Sequence, residues 1–177
     1  MELQLDSLRN NQDFFKEILN NINFYDRVVY LKERYPYYKN GKRFYDFNKL
    51  PDKNEKKSII EKTLKGVGYP IDFRKQEWVF SLNKEKDNFI TIGRIKIDES
   101  SIGGTIGVYY KEEEPQFLIW GNLFDNLIQK FNGYENETYR FCALNNIDID
   151  HITLEIIKIF EDFSNEFYHK IKTWNYN

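Results

Sequence analysis

A single cysteine among 177 residues excludes an internal disulfide, and Cys142, in YRFCALNN, lacks the companions that a zinc site requires. It reads as a small buried apolar side chain. Histidine occurs twice, at His151 and His169, eighteen positions apart on one expected helix. At about 1.5 Å of rise per residue the two rings stand about 27 Å from each other, so they do not share a metal. No apolar run approaches the roughly 20 residues that a bilayer demands. The opening MELQLDSLRN has neither a basic n-region nor an apolar h-region, so the expectation is a cytoplasmic chain with no membrane partner. An excess of positive charge is also missing. With 26 Lys and Arg against 28 Asp and Glu, the net charge of −2 exerts no long-range pull on phosphate backbones, and nucleic acid is not expected as a partner.

What is present describes a folded domain. Apolar residues make up 41% and charged residues 31%, which excludes wholesale disorder, and the length suits one domain, 1–177, with a real core. Its first part, 1–66, reads as helical. DSLRNNQDFFKEILNNIN sets Leu8, Phe15, Ile18, Leu19 and Ile22 at helical spacing behind a Ser7 cap. A shorter helix follows from about Asp26 until Pro36 ends it. PDKNEKKSIIEKTLKG then places Asp52 as a cap, Ile59, Ile60 and Leu64 on one side, and Gly66 as a stop.

After Pro70 the period shortens to that of strands. QEWVFSL and NFITIGRIKI are rich in β-branched and aromatic residues and read as a hairpin turning at NKEKD. IGGTIGVYY and QFLIW extend it into a meander, GNLFDNLIQKFNG is a short helix, and ETYRFCAL offers a further strand. From Asp150 onward Ile152, Ile156, Ile159, Phe160, Phe163, Phe167 and Ile171 form one apolar stripe. The expected fold is α+β, an antiparallel sheet of about four to five strands over 70–177, with N-terminal helices and a long C-terminal helix packed on one face.

Motifs that carry chemistry are scarce. Gly103, Gly104 and Gly107 match neither G-x-G-x-x-G nor the P-loop, and they lead from a turn into a strand rather than a helix. A bulge, a sharp twist or the close approach of another backbone explains them better. Asp52, Glu55 and Lys57 echo the D…E-x-K set of metal-dependent nucleases, but they crowd one helix N-terminus, where capping and solvated charge account for them. No metal, cofactor or catalytic residue is assigned.

Charge is unevenly divided. Residues 1–100 hold 20 basic and 16 acidic side chains, and residues 101–177 hold 6 and 12. Glu112, Glu113 and Glu114, in KEEEP, fall between two expected strands, and Asp125, Glu135, Glu137, Asp148 and Asp150 follow. Aromatics reach 18%, more than one core has to absorb, and Tyr and Trp supply interface anchors. The acids together with Tyr109, Tyr110 and Trp120 are the candidate partner-binding set.

In this texture, an acidic-patched α+β chain without catalytic motifs, the sequence resembles the immunity proteins of bacterial polymorphic and contact-dependent toxin systems. The resemblance implies a non-catalytic inhibitor that binds a cognate basic toxin domain, such as a nuclease, and covers its active site. Acids would speed the encounter and aromatic anchors would slow release. A small-molecule-binding or metal-dependent enzyme with a carboxylate-lined pocket is the alternative, and a structural or regulatory subunit is a third reading.

Overall fold

The computed structural model describes residues 8, 11–36, 38–39, 42–43, 46, 49–111, 116–120, 124–132 and 140–174. Helix α1 is Gln12–Asn21, where the Asn11 side chain accepts a hydrogen bond from the Phe14 amide at 2.9 Å. Ser7, the expected cap, lies outside the described residues. Asn23, with φ at 51°, turns the chain into α2, Phe24–Arg34, which ends ahead of Pro36. A two-residue ribbon, β1 (Tyr38–Lys39) with β2 (Lys42–Arg43), comes before α3, Lys53–Gly66. Asp52 caps α3 as its sequence predicts, accepting from the Glu55 amide. Gly66 is still helical. The stop belongs to Gly68, whose φ of 83° lets the Tyr69 amide reach back to the Leu64 carbonyl.

Five antiparallel strands follow in chain order: β3 (Phe73–Arg74), β4 (Val79–Lys86), β5 (Phe89–Ile97), β6 (Ile102–Tyr110) and β7 (Gln116–Trp120). The expected meander is β4 to β7, β3 is additional to it, and two corrections apply. NKEKD is not the hairpin turn, because Asn83–Lys86 continue in β4 and pair as far as Lys86 with Phe89. The reversal is made by Asp87 and Asn88, and Asp87 takes the left-handed conformation at φ 55°. ETYRFCAL does not contribute a strand among its described residues. Phe141 makes one isolated bridge to Ile102, with amide-to-carbonyl bonds of 2.9 Å in both directions.

Helix α4, Phe124–Asn132, and the 29-residue α5, Asn146–Trp174, complete the chain. The register explains why the helices lie on one side of the sheet. Pairing of Phe80 with Ile95 and of Ile95 with Gly104 puts these residues on one face, together with Leu82, Gly93, Ile97, Ile102, Ile106 and Val108 two positions along. The stripe of α5 settles on that face, and all seven of its expected residues are buried.

Two glycines set the distance. A Cβ at Gly93 would lie 2.7 Å from a ring carbon of Phe160, and one at Gly104 would lie 2.4 Å from the ring of Phe124. The approach anticipated at Gly104 is therefore that of an aromatic ring and not of a backbone. Among the described residues, the irregularity of pairing sits farther along, between Val108 and Tyr109, where β6 pairs with β7.

Buried side chains from the helices and the sheet join in one hydrophobic cluster. At about 1.5–3 kcal/mol for each fully buried large apolar side chain, Phe160, Phe163 and Phe167 are principal contributors to the attachment of α5. Polar groups fix its position along the strands. The Ser164 and Thr91 hydroxyls lie 2.8 Å apart, and the Tyr168 hydroxyl donates to the Lys84 carbonyl at 2.6 Å. Among the described residues no helix is long and apolar enough to cross a membrane.

Candidate docking surface

The first turns of α5 carry both of the described acids from the candidate set. Asn145 is the cap, and its Oδ1 accepts from the amides of Ile147 (2.9 Å) and Asp148 (3.0 Å). Asp148 returns the favour to the incoming chain by accepting from the Leu144 amide at 2.9 Å. Two residues on, Asp150 accepts from the hydroxyl of Thr63 on α3. Acids are stabilised at this end of a helix by its dipole, so both carboxylates have a structural role before any partner arrives.

This capping geometry decides where the neighbouring apolar side chains point. Ile149 and Ile152 turn inward and are fully buried, so Ile147, off their stripe, turns outward and is 80% exposed. Leu144 just ahead is 47% exposed, and Val67, at the end of α3, is 46% exposed. A groove of about 500 Å³ runs between α3 and α5, walled by Ile59, Val67, Ile147 and Leu154, with Lys62 and Asp150 at its edges. On the far side of Ile147 a second hollow, also about 500 Å³, lies between Leu144 and the segment 49–51 with Glu55. Of the four exposed large apolar side chains among the described residues, three thus border one pair of hollows, and the fourth is Tyr30. An exposed cluster of this kind is unusual on a surface that faces only water.

The other candidates are not gathered here. Tyr110 is buried, its ring edge-on to Phe89 at 5.1 Å and its hydroxyl accepting from the Asn88 side chain at 3.0 Å. It has almost no area to offer a partner, because it lies two positions after Val108 on β6, and strand alternation therefore puts it on the helix-covered face. Tyr109 is half-buried on the opposite face. Phe89 in turn packs on Phe167 at 5.5 Å, near the far end of α5. Some seventeen residues of helix, about 25 Å, therefore separate Tyr110 from Asp148 and Asp150. Glu112, Glu113, Glu114, Glu135 and Glu137 lie outside the described residues, as do the side chains of Asp125 and Trp120. Sequence reasoning missed Ile147, Leu144 and Val67. Their signal was an apolar residue off the stripe, as Ile147 is in ALNNIDID.

The perturbed ionisable groups sit elsewhere and have structural causes. Lys56 of α3 is fully buried, and its ammonium donates to the carbonyls of Glu99 (2.6 Å) and Asp98 (3.2 Å), fastening the turn between β5 and β6. Burial pushes its pKa below the ordinary lysine value. Lys53 adds an ion pair to the Glu99 carboxylate at 3.0 Å. Thus in PDKNEKK Asp52 caps, Lys56 clamps and Lys57 pairs with Glu61 at 3.4 Å. Burial raises the Cys142 thiol to about 11, in keeping with an inert core cysteine. His151 shares a hydrogen bond of 2.9 Å with the Tyr35 hydroxyl, which also accepts from Arg34 Nε at 3.0 Å, and His169 is exposed. Among the described residues no three His, Cys, Asp or Glu side chains are grouped so as to hold a metal ion.

Comparisons with protein-family models, with curated proteins and with solved structures find no match to this chain.

Proposed function

We propose that this chain acts by binding another protein, without catalysis, and that the face formed by α3 and the start of α5 is the contact. The partner, following the resemblance to toxin immunity proteins, is a cognate toxin domain with a basic surface, which the bound chain inhibits. The observation that supports this reading is the gathering of Ile147, Leu144 and Val67 around two adjoining hollows. A few side chains packed into desolvated hollows supply most of the affinity in such contacts.

Charge has a secondary place at this spot. Lys62 and Asp150 flank one hollow, and Lys49 and Glu55 the other, so each rim is balanced. The proposal keeps Glu112, Glu113, Glu114, Glu135 and Glu137 as the acids that steer a basic partner, since steering acts over distance and needs no contact.

The test is co-expression and calorimetry with the C-terminal domain encoded by the gene immediately upstream. Tight binding is expected, with killing suppressed. Ile147→Asp should weaken binding roughly 30-fold or more, as an anchor loss of about 2 kcal/mol implies. Absence of binding, or killing that continues in the presence of this chain, overturns the proposal.

A further inference from the structure

A second concave surface lies at the other end of α5. Asn165, Tyr168, His169 and Lys172 follow the i, i+3, i+4, i+7 spacing of one helical face, and that face stands against Lys84, Glu85 and Lys86 at the outer end of β4. Together they line an open cleft of about 410 Å³. From Ile147 to Lys172 is about 37 Å along the helix, so this cleft is separate from the proposed docking face.

Its charges do not cancel. Glu161, one turn before Asn165, pairs with Lys84, and Glu85 pairs with Lys111 at 2.6 Å. Glu166 accepts from the Asn21 side chain at 2.7 Å, and Asp162 pairs with Arg27 at 2.6 Å, both toward the N-terminal helices. Lys86 and Lys172, both exposed, then have no acidic partner among the described residues. The ammonium of Lys86 stands over the Tyr168 ring, 5.8 Å from its centroid. The carbonyl end of α5 accounts for a cation at Lys172. It does not account for the second cation that β4 brings to the facing wall.

Two ammonium groups that line one hollow repel each other until an anion enters between them. Lysine is a point-charge binder of phosphate, and the volume falls within the range of small-molecule sites. We propose that this cleft binds a small polyanion, a phosphate-bearing or polycarboxylate molecule, held by Lys86 and Lys172, with the Asn165 amide and the His169 ring as hydrogen-bonding groups. The position of Tyr168 is fixed independently of any ligand by its bond to the Lys84 carbonyl, so the cleft is formed in advance.

The test titrates the full chain with inorganic pyrophosphate and, separately, with citrate, following backbone amide shifts by NMR and heat by calorimetry. Saturable shifts at Lys86, Asn165, His169 and Lys172 are expected, weakening as salt rises. Whether pyrophosphate or citrate binds more tightly tells a phosphate source from a carboxylate one. The double variant K86E/K172E alters only exposed side chains. It should stay folded, melting within a few degrees of the parent, and bind roughly ten-fold or more weakly. No saturable shift with either anion, or unchanged affinity in the double variant, overturns the proposal. So does binding of hexaglutamate alone, which would assign the cleft to an acidic protein segment.

Discussion

Lys56 is the residue whose replacement says most about how this fold is held. Its ammonium is fully buried and donates to two carbonyls of the turn at 98–99, at 2.6 and 3.2 Å. Lys56→Met keeps most of the stem and deletes the charge. Two effects then oppose each other: the variant no longer buries an ammonium, but the Glu99 carbonyl loses its closest donor. Hydrogen bonds from a charged donor contribute about 1.5–3 kcal/mol net, and a buried acceptor left without a partner costs about 1–3 kcal/mol. The bonds should win, with K56M about 2 kcal/mol less stable than the parent in urea unfolding at neutral pH. Lys56→Ala also removes three methylene groups, at about 0.8 kcal/mol each, for a total loss of about 4–5 kcal/mol.

The pH dependence supplies a second, independent readout. Burial lowers the folded-state pKa of Lys56 below 10.5, so between the two values the unfolded chain binds more protons than the folded one. Stability attributable to Lys56 therefore increases as pH rises through that window. The Cys142 thiol acts in the opposite sense, since its folded value of about 11 lies above the ordinary 9.0 and stability falls as the unfolded thiol ionises. Subtracting K56M from the parent at each pH isolates the lysine, and the difference should widen toward alkaline pH. A variant as stable as the parent, or a difference that does not change with pH, would refute the account.

Gly104→Ala should lose about 1–3 kcal/mol or more, because its Cβ would meet the buried Phe124 ring at 2.4 Å; pairing it with Phe124→Leu should restore part of the loss in the same unfolding assay. Asn145→Ala removes the acceptor for two amides of α5 and should cost about 1 kcal/mol, read as a lower urea midpoint with an unchanged slope. Ile147→Asp should leave stability within about 0.5 kcal/mol while weakening partner binding as stated above, which separates a surface role from a structural one. Cys142 should resist a maleimide reagent in the native state and react at the rate of an ordinary thiol once unfolded; rapid native labelling would contradict its burial.

The elements easiest to foresee were those with the longest periodic signal. The stripe from Ile152 to Ile171 needs nothing beyond 3.6-residue spacing, and all of it is buried against the sheet. Its start was placed four residues late, because Asn145 in LNNIDID gives a cap without an apolar period around it. The β4–β5 turn was misplaced for a related reason: NKEKD is polar, as a turn would be, yet its first four residues form a hydrogen-bonded strand end with one exposed face. The candidate site was less legible than the fold. Tyr110 looked like an exposed anchor in VYYKEEE, yet it is in step with Ile106 and Val108, and the face they share is the one the helices cover.

By itself the sequence determined the α+β class, the order of the main helices and strands, the cap at Asp52 and the final stripe, because periodicity and capping act between residues a few positions apart. Only the tertiary structure decided that Lys56 is buried against the turn at 98–99, that rings occupy the space above Gly93 and Gly104, and that Ile147 stands outward beside Val67. Each of these depends on which remote segment covers a given face. That is a matter of packing between residues tens of positions apart, on which local spacing has no purchase.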